Sequence, residues 1–149
     1  MIKILVANRG RADLYETAAW GGRLTCVRSF TNPEAHLHES ELVSDRPGRT
    51  FNRSAGVHQA YGQRHLIRDR ATEKFARRVA RAMGPEMQKD VTAHLVLVGA
   101  PRLLGRLRDM LPDSVQGMVR GVIPKDLARQ TPTQISQYVR EARRNGEFA

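Results

Sequence analysis

Ile2, Ile4, Leu5, Val6 and Ala7 form a short β-prone run that predicts a first strand. Asn8-Arg9-Gly10-Arg11 carries turn chemistry suited to positive φ, and Ala12 to Thr17 alternates roughly apolar and polar. That alternation predicts an antiparallel return. Trp20-Gly21-Gly22 marks a second turn, and Leu24, Cys26 and Val27, ending near Phe30, predict the third strand of a meander. From Thr31 to Arg64 neither period is present. A loop there exceeds the ~15 residues beyond which structureless connections are uncommon in a compact domain. From about Arg64 to Met83 the period becomes helical. Ala71, Phe75, Ala76, Val79, Ala82 and Met83 fall on one side, and Arg70, Lys74, Arg77 and Arg81 fall on a narrow stripe opposite. Gly84-Pro85 predicts a stop or a kink.

The second half alternates strand and helix. His94 to Ala100 is apolar enough for a central strand buried on both faces. Pro101 suits the first turn of a helix whose apolar face is Leu103, Leu104, Leu107, Met110 and Leu111, and Pro112 ends it. Asp113-Ser114 caps a short turn, and Met118 to Ile123 reads as the last strand, ended by Pro124. Thr131 or Thr133 caps a final helix lined by Ile135, Tyr138, Val139 and Ala142. The order β-β-β-loop-α-β-α-β-α predicts one α/β domain over residues 1–149, with a mixed sheet of about five strands and a long loop at about 31–64.

Charge changes the picture more than hydropathy does. The 149 residues carry 25 Lys+Arg against 15 Asp+Glu, a formal net charge of +10. Only Lys3, Lys74, Lys89 and Lys125 are lysines, so the excess is arginine. A planar guanidinium matches phosphate bidentately and stacks on bases, which favours a polyanionic partner over an inert basic surface. The single cysteine, Cys26, excludes an internal disulfide. Its neighbours Thr25 and Val27 predict a strand position and a buried structural thiol. No signal peptide is visible, and no apolar run approaches the ~18 residues of a membrane span. The expectation is a cytoplasmic protein with no membrane contact.

The 31–64 stretch divides by charge. Its first half holds Glu34, Glu39, Glu41 and Asp45 with His36 and His38. Two histidines at that spacing, without a third ligand at diagnostic distance, do not make a metal site, and neither metal nor cofactor is expected. The second half is basic: Arg46, Arg49, Arg53, His58 and Arg64, with no acid between Asp45 and Asp69. Gly48, Gly56 and Gly62 would let backbone N–H groups approach a phosphate. Phe51 and Tyr61 either stack on bases or pin the loop to the body. With Arg70, Lys74, Arg77 and Arg81 these basic residues make the candidate RNA- or phosphate-binding set. Arg9 and Arg11 are turn charges or further phosphate ligands, and Arg140 to Arg144 either bind RNA or keep the last helix soluble. No phosphate-binding GxxxxGKS, nucleophile elbow, HExxH or CxxC is present. Ser44-Asp45 with His58 has no fixed triad geometry. Asp13, Glu16 and Asp126 are too scattered to claim a two-metal nuclease.

Several segments resemble the bacterial host attachment protein family. They are Ile4-Leu5-Val6-Ala7-Asn8-Arg9, Glu41 to Arg49 with Phe51, Phe75-Ala76, Leu95 to Gly105, and Lys125-Asp126-Leu127. The resemblance covers essentially the whole chain. That family in turn looks like the middle domain of archaeal and eukaryotic peptide-chain release factors and Pelota, whose fold is described as ribonuclease H-like. In that domain a Gly-Gly-Gln loop tip acts on peptidyl-tRNA. Here Tyr61-Gly62-Gln63 departs from it by replacing the first glycine, which leaves Gln63 as a weak catalytic candidate. The resemblance implies a non-enzymatic RNA- or ribosome-binding module related to termination or rescue factors. The alternatives are an attachment-linked regulatory or protein-interaction module without nucleic acid, and a peptidyl-tRNA hydrolase-like activity.

Overall fold

The computed structural model of the protein describes residues 1–35 and 53–148, with side chains described for 1–35 and 68–148. Five strands form one open sheet: β1 (Ile2–Ala7), β2 (Arg11–Thr17), β3 (Thr25–Thr31), β4 (His94–Gly99) and β5 (Val119–Ile123), in the order β3-β2-β1-β4-β5. β1 pairs antiparallel with β2 and parallel with β4. β2–β3 is antiparallel and β4–β5 parallel. The sheet is therefore mixed, as the sequence pattern predicts. All six residues of β1 are buried, as are five of the six of β4, because both strands are covered on both faces.

Helix α1 (Arg53–Gln88) crosses from β3 to β4, and α2 (Pro101–Met110) with the single turn α3 (Asp113–Gln116) joins β4 to β5. These helices cover one face. Phe75, Val79 and Met83 of α1 and Leu103, Leu104 and Leu107 of α2 pack on Leu5, Leu14, Leu95 and Leu97. Helix α4 (Pro132–Arg144) covers the other face, where Ile135, Val139 and Ala142 meet Ile4, Val6, Val96, Val98 and Ile123. Thr131 starts α4 with a reciprocal capping box: its hydroxyl accepts from the Gln134 amide at 3.2 Å, and its own amide donates to Gln134 Oε1 at 2.9 Å. Ser136 donates to the Gly22 carbonyl at 2.6 Å. Gly21 sits there at φ +82°, a conformation that side-chain-bearing residues rarely adopt, so this turn needs glycine.

Three sequence expectations are corrected. The helix begins at Arg53, eleven residues before Arg64, so the second half of the expected 31–64 loop is largely helical. Of the stop or kink expected at Gly84-Pro85, the stop is ruled out, since the helix runs to Gln88. Pro85 and the residue whose carbonyl it leaves unpaired, Arg81, are both exposed, so water can take the lost bond, while buried Met83, Glu86 and Met87 hold the last turn to the sheet. Cys26 is exposed, not a buried thiol. Its strand is the sheet edge, and α4 does not reach that far.

The carboxyl end of α1 is held by a buried lysine. Lys3 of β1 is 3% exposed, and its ammonium donates to the Glu86 carbonyl at 2.9 Å. That carbonyl belongs to the last turn, where no helical N–H follows to take it. The Glu86 carboxylate pairs with Lys89 at 3.2 Å and Arg28 at 3.4 Å. Burial disfavours its charged form, yet the hydrogen bonds and charges of Lys89 and Arg28 outweigh this and lower its pKa below the usual carboxylate value. Lys3→Met should cost about 1–3 kcal/mol in a urea titration, because it leaves a buried carbonyl unpaired. Glu86 with a lowered folded pKa stabilises the fold above its unfolded value and loses that contribution as pH falls through the folded value. Glu86→Gln should accordingly flatten the acid limb of stability against pH, measured by urea titration between neutral and acidic buffer.

Candidate functional site

The β1–β2 hairpin is built by two asparagines. Asn8 Oδ1 accepts from the amides of Gly10 at 2.9 Å and Arg11 at 2.8 Å, an Asx turn that closes the hairpin through a side chain. Asn32, just past β3 and 6% exposed, donates from Nδ2 to the Arg9 carbonyl at 2.8 Å, and its amide donates to the Gly10 carbonyl at 2.9 Å. Arg9 and Arg11 are thus presented on a rigid turn at the carboxyl end of β1. Arg11 Nε lies 2.8 Å from Asp13 Oδ2, and the Ser29 hydroxyl donates to Asp13 Oδ1 at 2.7 Å. The hydrogen bond and charge of Asp13 raise the Arg11 pKa.

Two clefts flank this turn. The larger, about 760 Å³, lies between the hairpin and the segment after β5, and its walls include Arg9, Arg11, Asp13, Tyr15, Asp126 and Gln130. Burial, and then the charge of Asp13, raises the Tyr15 phenol above its ordinary pKa, so at neutral pH it is a hydroxyl donor. Asp126 accepts from the Ala128 amide at 3.1 Å. The smaller cleft, about 230 Å³, lies on the α1–α2 side and is walled by Arg68, Asp69, Thr72, Arg102, Leu103 and Arg106. The two share Asn8, Arg9 and Asp126. Asp69 receives Arg102 at 3.2 Å and Arg106 at 3.7 Å, and Arg106 also donates to the Asp69 carbonyl at 3.1 Å. The sequence reading weighs Arg9 and Arg11 as phosphate ligands. It misses Arg68, Arg102 and Arg106, which only the crossing of α1 over α2 brings together.

The other feature is the outward face of α1. Arg70, Lys74, Arg77 and Arg81 are all exposed on the stripe that the helical period places opposite the core. Lys74 pairs with Glu34 at 3.2 Å and Arg77 with Glu73 at 3.4 Å, whereas Arg70 and Arg81 have no acidic partner among the described residues. A hollow of about 430 Å³ runs beside the stripe, with Asn32, Glu34, Phe75 and Arg78 among its walls. Arg78 lies over the Phe75 ring at 5.2 Å and donates to the Thr31 carbonyl. It ties the end of β3 to the helix.

The remaining sequence candidates lie partly outside this description. Arg46, Arg49 and Phe51 fall outside the described residues, as do His36, His38, Ser44 and Asp45. Arg53, His58, Tyr61, Gln63 and Arg64 lie on α1, with side chains outside the described set. Gly62-Gln63 is therefore inside a helix and not at a loop tip. Asp13 and Asp126 line one cleft, but among the described residues no group of three His, Cys, Asp or Glu side chains is placed to hold a metal.

A family model described as "Protein required for attachment to host cells" matches residues 3–139. The chain belongs to this family. The matched span holds β1 from Lys3 on, the other four strands, the exposed face of α1 and both clefts. No curated protein matches the chain. Among the described residues no helix is long and apolar enough to cross a membrane. The clefts of this host attachment family member depend on the hairpin geometry. Asn32→Ala should lower stability by about 1–2 kcal/mol and speed amide hydrogen exchange at Gly10 and Arg11 more than at Leu14.

Proposed function

We propose that this host attachment family protein is a non-enzymatic, cytoplasmic RNA-contacting module that works on ribosomes or tRNA. The observation that carries the reading is the exposed stripe Arg70, Lys74, Arg77 and Arg81 on the outward face of a helix whose other face is bound to the sheet. Four cations spaced along one rigid face suit a backbone of phosphates, since sequence-independent nucleic-acid affinity comes from such contacts. The net charge of +10 supports the same partner class. The order of a three-strand meander, a long helix and then strand, helix and strand is the one expected of a relative of release-factor middle domains, and it supports a ribosomal partner. Peptide-release chemistry is not part of the proposal. Gly62-Gln63 sits within α1, where helical backbone cannot supply the glycine-loosened tip that such chemistry uses.

Ribosome co-sedimentation and binding to a single-stranded RNA across a salt series test this. Affinity should fall steeply with salt, and replacing Arg70, Lys74, Arg77 and Arg81 with Ala should reduce the log–log salt slope by about 3. Absence of binding at low salt, or an unchanged slope, rejects the proposal. A partner captured from lysate that survives ribonuclease treatment would favour a protein-interaction module in its place.

A further inference from the structure

We propose that the paired clefts at the carboxyl ends of β1, β4 and β5 bind a small phosphate monoester with a hydroxyl-bearing remainder, a sugar phosphate or a nucleoside monophosphate. The site uses different residues from the α1 stripe and does not depend on RNA binding. Its position follows from topology. In an open α/β sheet, ligands lodge beyond the carboxyl ends of the strands where successive connections leave toward opposite faces. Here β4 leads into α2 on one face and β5 leads toward α4 on the other. Both clefts lie at that point.

The smaller cleft has the chemistry for the phosphate. Arg9, Arg68, Arg102 and Arg106 line it with two carboxylates, Asp126 and Asp69, the latter engaged by Arg102 and Arg106, so four guanidinium groups meet two negative charges. The Nε of Arg68 is buried and has no acceptor among the described residues. A buried donor left unmade is costly, and an anion in the cleft would supply the acceptor. Helix α2 starts at the same wall without a side-chain cap, and the amides of Arg102 and Leu103 have no helical acceptor. A phosphate there receives guanidinium and backbone N–H bonds together. The larger cleft suits what the phosphate carries. Asp126, shared by both clefts, and Asp13 can accept hydrogen bonds from hydroxyl groups, while Tyr15 and Gln130 add polar partners beside Arg9, Arg11 and Arg129.

Isothermal titration of the full chain with ribose 5-phosphate, AMP, adenosine and inorganic phosphate tests the site. Ribose 5-phosphate or AMP should bind more tightly than inorganic phosphate, and adenosine should not bind. Whichever of the two esters binds identifies the remainder. Arg68→Met and, separately, Arg102→Met should each weaken binding about tenfold to a hundredfold. The fourfold Ala variant of the α1 stripe should leave it unchanged. Should these cleft variants fail to fold, amide chemical shifts of the unaltered protein decide. The bound ester should move Arg102, Leu103 and residues 8–11. No binding by either ester, inorganic phosphate binding as tightly as the esters, or shift changes confined to the α1 stripe each overturns the proposal.

Discussion

β1 is hydrogen-bonded on both edges, antiparallel to β2 and parallel to β4, and most of the structure follows from that arrangement. A strand with two partners and two covered faces must be apolar throughout, except where a polar group finds a partner inside. Lys3 is that exception, and it reaches the carbonyl of Glu86. The change from antiparallel to parallel pairing at β1 also sets where its carboxyl end opens. On one side the chain turns back immediately into β2. On the other it needs a helix to return to β5.

Helix α1 is clamped to this frame near its carboxyl end and near its middle. Close to its carboxyl end, Lys3 takes an orphan carbonyl and Glu86 gathers Arg28 and Lys89. Eighteen residues earlier, Arg68 and Asp69 meet Arg102 and Arg106 of α2 beside the end of β1. The helix therefore runs antiparallel to β1, and its rotation is fixed by the buried row from Ala71 to Met87. With that rotation fixed, Arg70, Lys74, Arg77 and Arg81 can only face outward. The same clamp that orders the core thus separates two basic regions: an exposed stripe suited to an extended polyanion, and a pair of clefts in which several arginines stand beside a few carboxylates.

These regions place different demands on a ligand. On the stripe, cations are exposed and screened by salt, so each phosphate contact is individually weak and affinity depends on their number. In the clefts, guanidinium and amide donors are partly withdrawn from water, so geometry and partner count matter more than total charge. Membership in a family named for attachment to host cells is compatible with either kind of contact.

The periods of hydrophobic residues alone determined much of this fold. The meander, the strand from His94, the Pro101 helix and a threonine cap at Thr131 or Thr133 were all legible, because each depends on residues near one another in the chain. The outward stripe of α1 was legible for the same reason, since a helix repeats within a few residues. Tertiary structure decided what local pattern could not. Pro85 stays helical because the last turn is anchored to the sheet by buried residues and Lys3. Cys26 is exposed because α4 stops short of the edge strand. The helix starts at Arg53, in a segment whose composition carries no amphipathic period to announce it. The clefts were the least legible part. Asn8, Arg68, Arg102 and Asp126 come from four separate segments, and no spacing in the chain records that the sheet order brings them to one edge.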